Sequence, residues 1–229
     1  MEPQVRDALS ERLLAMGDDE LILAHRNSEW TGHAPILEED IAFANIALDE
    51  LGHASIWYGL RCAMTGEDAD RLVFFRNPGQ YRNVQLVELP KGDWAFSMLR
   101  QYLFDAAEGV TLGRLKASAH RPLAEAAAKI ATEELYHLRH TGLWLRRLGL
   151  GTEESHARTQ AALGVLWPYA RQLFVPLPGD AALVAAGVIP DAALLQREWE
   201  ARVRPFLAEC NLAVPDAAPA RRDVPRTEH

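Results

Sequence analysis

Two short stretches of this chain place a glutamate and a histidine three residues apart: Glu50 and His53 in LDELGHA, and Glu134 and His137 in EELYH. On a helix that spacing puts both side chains on one face. The Glu50/His53 face also carries Phe43, Ile46, Ala47, Ala54 and Trp57. The Glu134/His137 face carries Ala127, Ile130, Ala131, Leu138, Thr141 and Leu145, whereas Glu125, Lys129, Tyr136, Arg139 and Arg147 fall on the opposite side. Both pairs therefore point into apolar surroundings. A carboxylate and an imidazole buried there are costly unless something compensates them, and a metal ion does so.

One Glu-x-x-His is a weak signal. Two of them, on the core faces of separate helices, are much stronger, and a bundle that holds two metal ions needs one more carboxylate from each remaining helix. Glu20 is the first candidate, on a face with Leu13, Met16, Leu23, Ala24 and Asn27. Asp105 is the second, with Met98, Tyr102 and Leu112 around it. Glu20 precedes Glu50 by 30 residues and Asp105 precedes Glu134 by 29. From one half to the other, His53 to His137 is a step of 84 residues and Glu20 to Asp105 a step of 85. The chain thus repeats carboxylate, helix-length gap, Glu-x-x-His. Glu108, one turn after Asp105, is the reserve candidate that could replace or supplement it. Four carboxylates and two imidazoles suit two iron ions, with manganese the alternative. Zinc takes fewer ligands with more nitrogen or sulfur.

Other groups fit less well. Glu133 points about 100° away from Glu134 and reads as a surface group or one outside the ligand set. Asp49 is a weak candidate for supporting a ligand from outside. Glu29 is half a turn from the Glu20 face and reads as structural. His25, His33, His120, His140 and His156 lack a matching partner and read as exposed or capping residues.

The elements that must position these residues are helices. Periodicity predicts helices over 4–30, 36–64, 94–119, 122–148, 153–173 and 191–209. Pro35 is expected in the first turn of the second helix and Pro122 in that of the fourth, where a missing N–H is no loss. Asp93 is expected to cap the third. Residues 66–92 read as an irregular connection broken by Gly66, Pro78, Gly79, Pro90 and Gly92, with short strand-like pieces near Leu86–Leu89. The expected architecture is all-α: a four-helix bundle of two hairpins with additional C-terminal helices. The domain spans residues 1–210, and residues 211–229 form an extended tail, lying free or wrapped on a partner.

Composition narrows the function classes. The 229 residues carry a net charge of −8 and are 48% hydrophobic. An acidic chain lacks the basic footprint of a nucleic-acid binder. No apolar run reaches the roughly 18–20 residues of a membrane span, and the N-terminus has no signal-peptide core. Cys62 and Cys210, 148 residues apart, form no ligand-type cluster and read as reduced thiols. The expected location is cytoplasmic.

The stretches SEWTGHAPILEEDIAFANIALDELGHA, RQYLFDAA and YHLRHTGLWLRRLGLGTEES resemble the PaaC-type subunits of phenylacetyl-CoA epoxidases, and the similarity runs from about Gly17 to Leu212. The turn Glu29–Pro35 is a specific part of it. The resemblance implies a ferritin-like fold and a role in aerobic phenylacetate breakdown, where the ring of phenylacetyl-CoA is epoxidised with O₂. It further implies two homologous subunits: a PaaA-type partner carrying the di-iron site and the CoA ester, and a PaaC-type subunit usually described as structural. A flavin and iron–sulfur reductase component supplies electrons. This sequence departs from that description, because the six ligand positions are intact. It also ends at His229, where relatives are expected to continue. Three readings follow: a di-iron oxygenase subunit, a non-catalytic scaffold for the PaaA-type subunit, and a ferroxidase or other iron-binding protein. A homodimer is a further possibility for assembly.

Overall fold

Two long helices open the chain: α1, Pro3–Ser28, and α2, Leu37–Thr65. The computed structural model describes residues 1–221. Pro35 lies ahead of α2 rather than in its first turn, since the helix starts after an extended Ile36. Gly66 ends α2 in the left-handed conformation that glycine tolerates best, with φ 76°. The two helices pack antiparallel and very close at one point. A Cβ on Gly17 would lie 2.6 Å from the Tyr58 ring, so only glycine lets the helices approach there.

The connection that follows is held to this hairpin by a buried carboxylate. Asp18 accepts from the Tyr58 hydroxyl at 2.6 Å, from Arg76 Nη1 at 2.9 Å and from the Arg82 backbone N–H at 2.6 Å. The connection contains two short helices, α3 (Ala69–Phe74) and α4 (Gln85–Glu88), and a 3₁₀ turn at Pro78–Gln80. The strand-like reading near Leu86–Leu89 is therefore corrected. Leu86 and Val87 are fully buried, on a single helical turn. A run this short carries too little periodicity to separate one state from the other.

The second hairpin comprises α5, Trp94–Leu115, and α6, Arg121–Gly149. Asp93 caps α5, accepting from the Phe96 N–H at 2.9 Å. Pro122 lies in the first turn of α6. Most of α5 is buried, because α6, α7 (Glu153–Arg171) and α9 (Ala192–Glu209) all pack on it. Trp167 of α7 stacks on Trp199 of α9 with centroids 4.9 Å apart. A 3₁₀ turn at Gln172–Phe174 and α8, Asp180–Ala185, lie between α7 and α9. Gly149 lets the end of α6 abut Cys210, whose carbonyl oxygen would collide with an added Cβ.

Among the described residues there is no strand, and no helix is long and apolar enough to cross a membrane. The described part of the tail lies along its own α7: Gln160 Nε2 donates to the Ala213 carbonyl at 2.9 Å, and Ala220 N–H donates to the Pro168 carbonyl at 2.8 Å. Residues 222–229, the end of the expected tail, lie outside the described residues.

Candidate metal centre

Four helices converge on one buried cluster. α1 supplies Glu20, α2 supplies Glu50 and His53, α5 supplies Asp105 and Glu108, and α6 supplies Glu134 and His137. The six residues singled out first are at most 2% exposed. Three groups can each bring ligand atoms within 4.8 Å of one another: Glu20, Glu50 and His53; Glu50, Asp105 and His137; His53, Glu108 and Glu134. Asp105 and Glu108 therefore both reach the cluster, on opposite sides of it.

The two histidines sit in near-equivalent settings. His53 Nδ1 faces inward, 3.4 Å from Glu50 Oε2 and 3.5 Å from Glu134 Oε1. His137 Nδ1 also faces inward, 3.0 Å from Glu134 Oε1 and 3.6 Å from Glu50 Oε1. Each Nε2 points outward to a half-exposed carboxylate from the opposite hairpin, 2.8 Å to Glu133 for His53 and 3.3 Å to Asp49 for His137. Each outer carboxylate immediately precedes a ligand glutamate in the sequence. Such a partner orients the ring and fixes the proton on Nε2, leaving Nδ1 as the donor atom.

A side-chain amide organises the other end. Gln101 Nε2 donates to Glu50 Oε1 and to Asp105 Oδ1, both at 2.6 Å, and Gln101 Oε1 accepts from Asn27 Nδ2 at 2.7 Å. The Thr141 hydroxyl donates to Asp105 Oδ2 at 2.9 Å. Both Asp105 oxygens are thus engaged. Gln101 was missed by sequence reasoning, although it sits one turn before Asp105 on the same face. His140, outside the cluster, pairs with Glu39 at 3.0 Å, and Glu29 pairs with Arg26 at 2.6 Å.

Without a cation the cluster holds protons. Burial and the mutual repulsion of the carboxyls push Glu20 and Glu108 well above the ordinary range. Burial raises Asp105 to about 8, against the pull of His137. Burial and the Glu50 charge raise Glu134 to about 8. Burial disfavours the imidazolium of His53, but the Glu50 carboxylate 3.4 Å away outweighs this and lifts it to about 9. His137 is lifted to about 11 against burial by Glu134 and Glu50. Glu50 goes the other way: burial opposes its charge, yet contacts with His53, Glu20 and His137 hold it below the usual range.

The residues fit a pair of metal ions. Both Glu20 oxygens, Oε2 of Glu50, Glu108 and Glu134, and His53 Nδ1 are buried without a hydrogen-bond partner. Buried polar atoms are nearly always paired, and here six unpaired ones, all of metal-ligand type, are gathered in one cluster. Oxygen donors outnumber the two imidazoles, which suits iron or manganese.

A four-helix bundle carrying a carboxylate and Glu-x-x-His motifs on paired hairpins is the architecture of the ferritin-like di-metal proteins. Within the ferritin-like fold the chain belongs to the family of phenylacetic acid catabolic proteins, whose model matches residues 1–229. Over 208 residues, 90% of its own length and 84% of the relative's, it is 41% identical to the C component of the 1,2-phenylacetyl-CoA epoxidase of Escherichia coli (strain K12).

Proposed function

We propose that this chain is a di-iron-type subunit of a multicomponent phenylacetyl-CoA epoxidase, acting in aerobic phenylacetate catabolism. The family and the 41% identical relative support the pathway. The observation that carries the metal reading is the set of unpartnered buried oxygens around two inward Nδ1 atoms. Glu20, Glu50, His53, Asp105, Glu134 and His137 would hold the ions, with Glu108 as a seventh donor. Asp105 is the most hydrogen-bonded of these, and Glu108 keeps a free oxygen. When bound and reduced, such a centre supplies O₂ activation for ring epoxidation.

The chain's own residues set the conditions for that chemistry. Asp49 and Glu133 accept from the outward Nε2–H groups and hold both rings in one orientation. Gln101 fixes Glu50 and Asp105 relative to each other. Phe43, Trp57 and Ile130, fully buried on the same helix faces, keep water out. The outward sides of α2 and α6 expose Leu37, Ile41, Leu48, Leu135, Tyr136 and Leu143. Leu48 adjoins Asp49 in sequence, so an apolar surface surrounds the outward histidine partners. It fits a PaaA-type subunit, with the reductase component docking to the assembled pair. A homodimer over the same face is the competing assembly.

One observation favours a scaffold role instead. The raised histidines and protonated carboxyls let the cluster approach neutrality with no metal. The deciding experiment measures epoxide formation from phenylacetyl-CoA in the reconstituted complex, comparing the native chain with Glu134→Ala. The di-iron reading predicts loss of product with assembly retained. Full turnover in the variant would establish the scaffold.

A further inference from the structure

A cavity of about 440 Å³ lies outside the four-helix bundle, over the seam between α1 and α5 and beneath α8 and the start of α9. We propose that it is a binding chamber for a small neutral aromatic ring. The inference deepens the proposed function by assigning ring binding to this chain. It rests on that reading only for the purpose the ring serves, because binding itself can be measured without metal.

Size and surface come first. An apolar cavity of about 150 Å³ suffices to hold benzene, so this one has room for a ring with a side chain. Met16, Leu115, Phe174, Val184, Ile189 and Leu195 form apolar walls. The polar lining groups are all engaged. Arg12 is paired with Asp180, through Nε to Oδ1 at 3.1 Å and a second contact through Nη2. Asp191 accepts from the Leu194 N–H at 2.9 Å, and the Thr111 hydroxyl donates to the Ala107 carbonyl at 2.8 Å. One cation against two carboxylates leaves a net negative charge that repels an anionic ligand, and Asp191 is taken up in capping α9. The surface matches a neutral apolar group.

Position gives the chamber its meaning. Met16 lies one turn before Glu20 on α1, and Thr111 three residues after Glu108 on α5. The helices that wall the cavity are the ones that supply the unpartnered oxygens of Glu20 and Glu108. The other side of the cluster is occupied by the histidines and their outward carboxylates. Glu108 is also partly exposed, as are Arg12, Met16 and Thr111, along helix faces that are otherwise mostly buried. The segment from Leu173 to Leu195, outside the bundle, thus roofs a cavity whose α1 and α5 walls begin about one helical turn from Glu20 and Glu108.

The test uses 4-fluorotoluene as a neutral probe and follows its ¹⁹F line width against the full-length protein prepared without metal. Saturable broadening is expected, weakened at least tenfold in Val184→Phe, which fills the chamber. Ala185→Met at the rim serves if that variant does not fold. Leu143→Phe, on the distant outer side of α6, should bind as the native chain does. Phenylacetate should compete at least tenfold less well than the neutral probe. Absence of saturable broadening, or equal broadening in the filled variants, would overturn the proposal. Either result is independent of metal content, so it stands apart from success or failure of the di-iron reading.

Discussion

His53 Nε2 on α2 lies 2.8 Å from Glu133 Oε2 on α6, bridging the two hairpins at the edge of the cluster. His137 and Asp49 make the reciprocal bridge at 3.3 Å. Each hairpin therefore orients the histidine of the other, and the sequence repeat becomes a pair of interlocked contacts.

These bridges are testable because both carboxylates are half-exposed and add little to the core. Glu133→Ala and Asp49→Ala should leave the fold unchanged. Each should weaken metal binding by about 10–100-fold, the usual cost of losing a partner behind a ligand histidine. Competition against a chelator of known affinity measures this. Unchanged affinity in both variants would mean that the bridges play no part in ligation.

The metal-free protein should lose stability as pH rises from about 5 to 9. Asp105 and Glu134, raised to about 8, His53, raised to about 9, and His137, raised to about 11, hold protons in the folded state that the unfolded chain releases earlier. Their contribution is complete below the ordinary carboxylate range and fades as pH climbs through the raised values. Glu50, held low, contributes the opposite trend, confined to strong acid. Melting temperature against pH, with chelator present, checks this. Metal should reverse the slope, because ligands must shed protons to bind. A flat profile in both states would contradict the proton-holding cluster.

Gln101→Leu should destabilise the apo protein strongly. It removes the donor to Glu50 and Asp105 and the acceptor of Asn27. Each group left unpaired in the core costs roughly 1–3 kcal/mol. Urea unfolding reads the change, and a loss below that of a single unpaired group would show that the network is replaceable.

The long helices were legible because their apolar periodicity and caps agree, as at Asp93. The ligand faces were legible for the same reason, since Glu50, His53, Glu134 and His137 repeat among residues such as Phe43 and Ile130. Asp49 and Glu133 were left in the background. Their helical angle points them away from the core, and only the crossing of α2 and α6 brings them to the opposite histidines. Spacing alone could not divide Asp105 from Glu108, since side chains one turn apart reach the same space by different routes. α3, α4 and α8 are too short for periodicity to register, and tertiary packing holds them. The cavity over α1 and α5 has no local signature at all. It exists because α8 and the start of α9, far along the chain, fold back onto the first helix.

Gly17→Ala should cost about 1–3 kcal/mol, as overpacking does, because the new methyl would meet the Tyr58 ring at 2.6 Å. Tyr58 cannot swing away freely, since its hydroxyl donates to buried Asp18. Thermal melts of Gly17→Ala with and without Tyr58→Ala should show non-additive losses. Simple additivity would indicate that the contact is not limiting.

Metal content decides whether the two-metal centre is live. Protein expressed in iron-supplemented medium should carry about two iron ions per chain by elemental analysis, and Glu50→Ala should lose them while staying folded. Metal-free native protein, with the same fold and no uptake from added ferrous iron, would overturn that reading and leave the cluster as a buried polar scaffold.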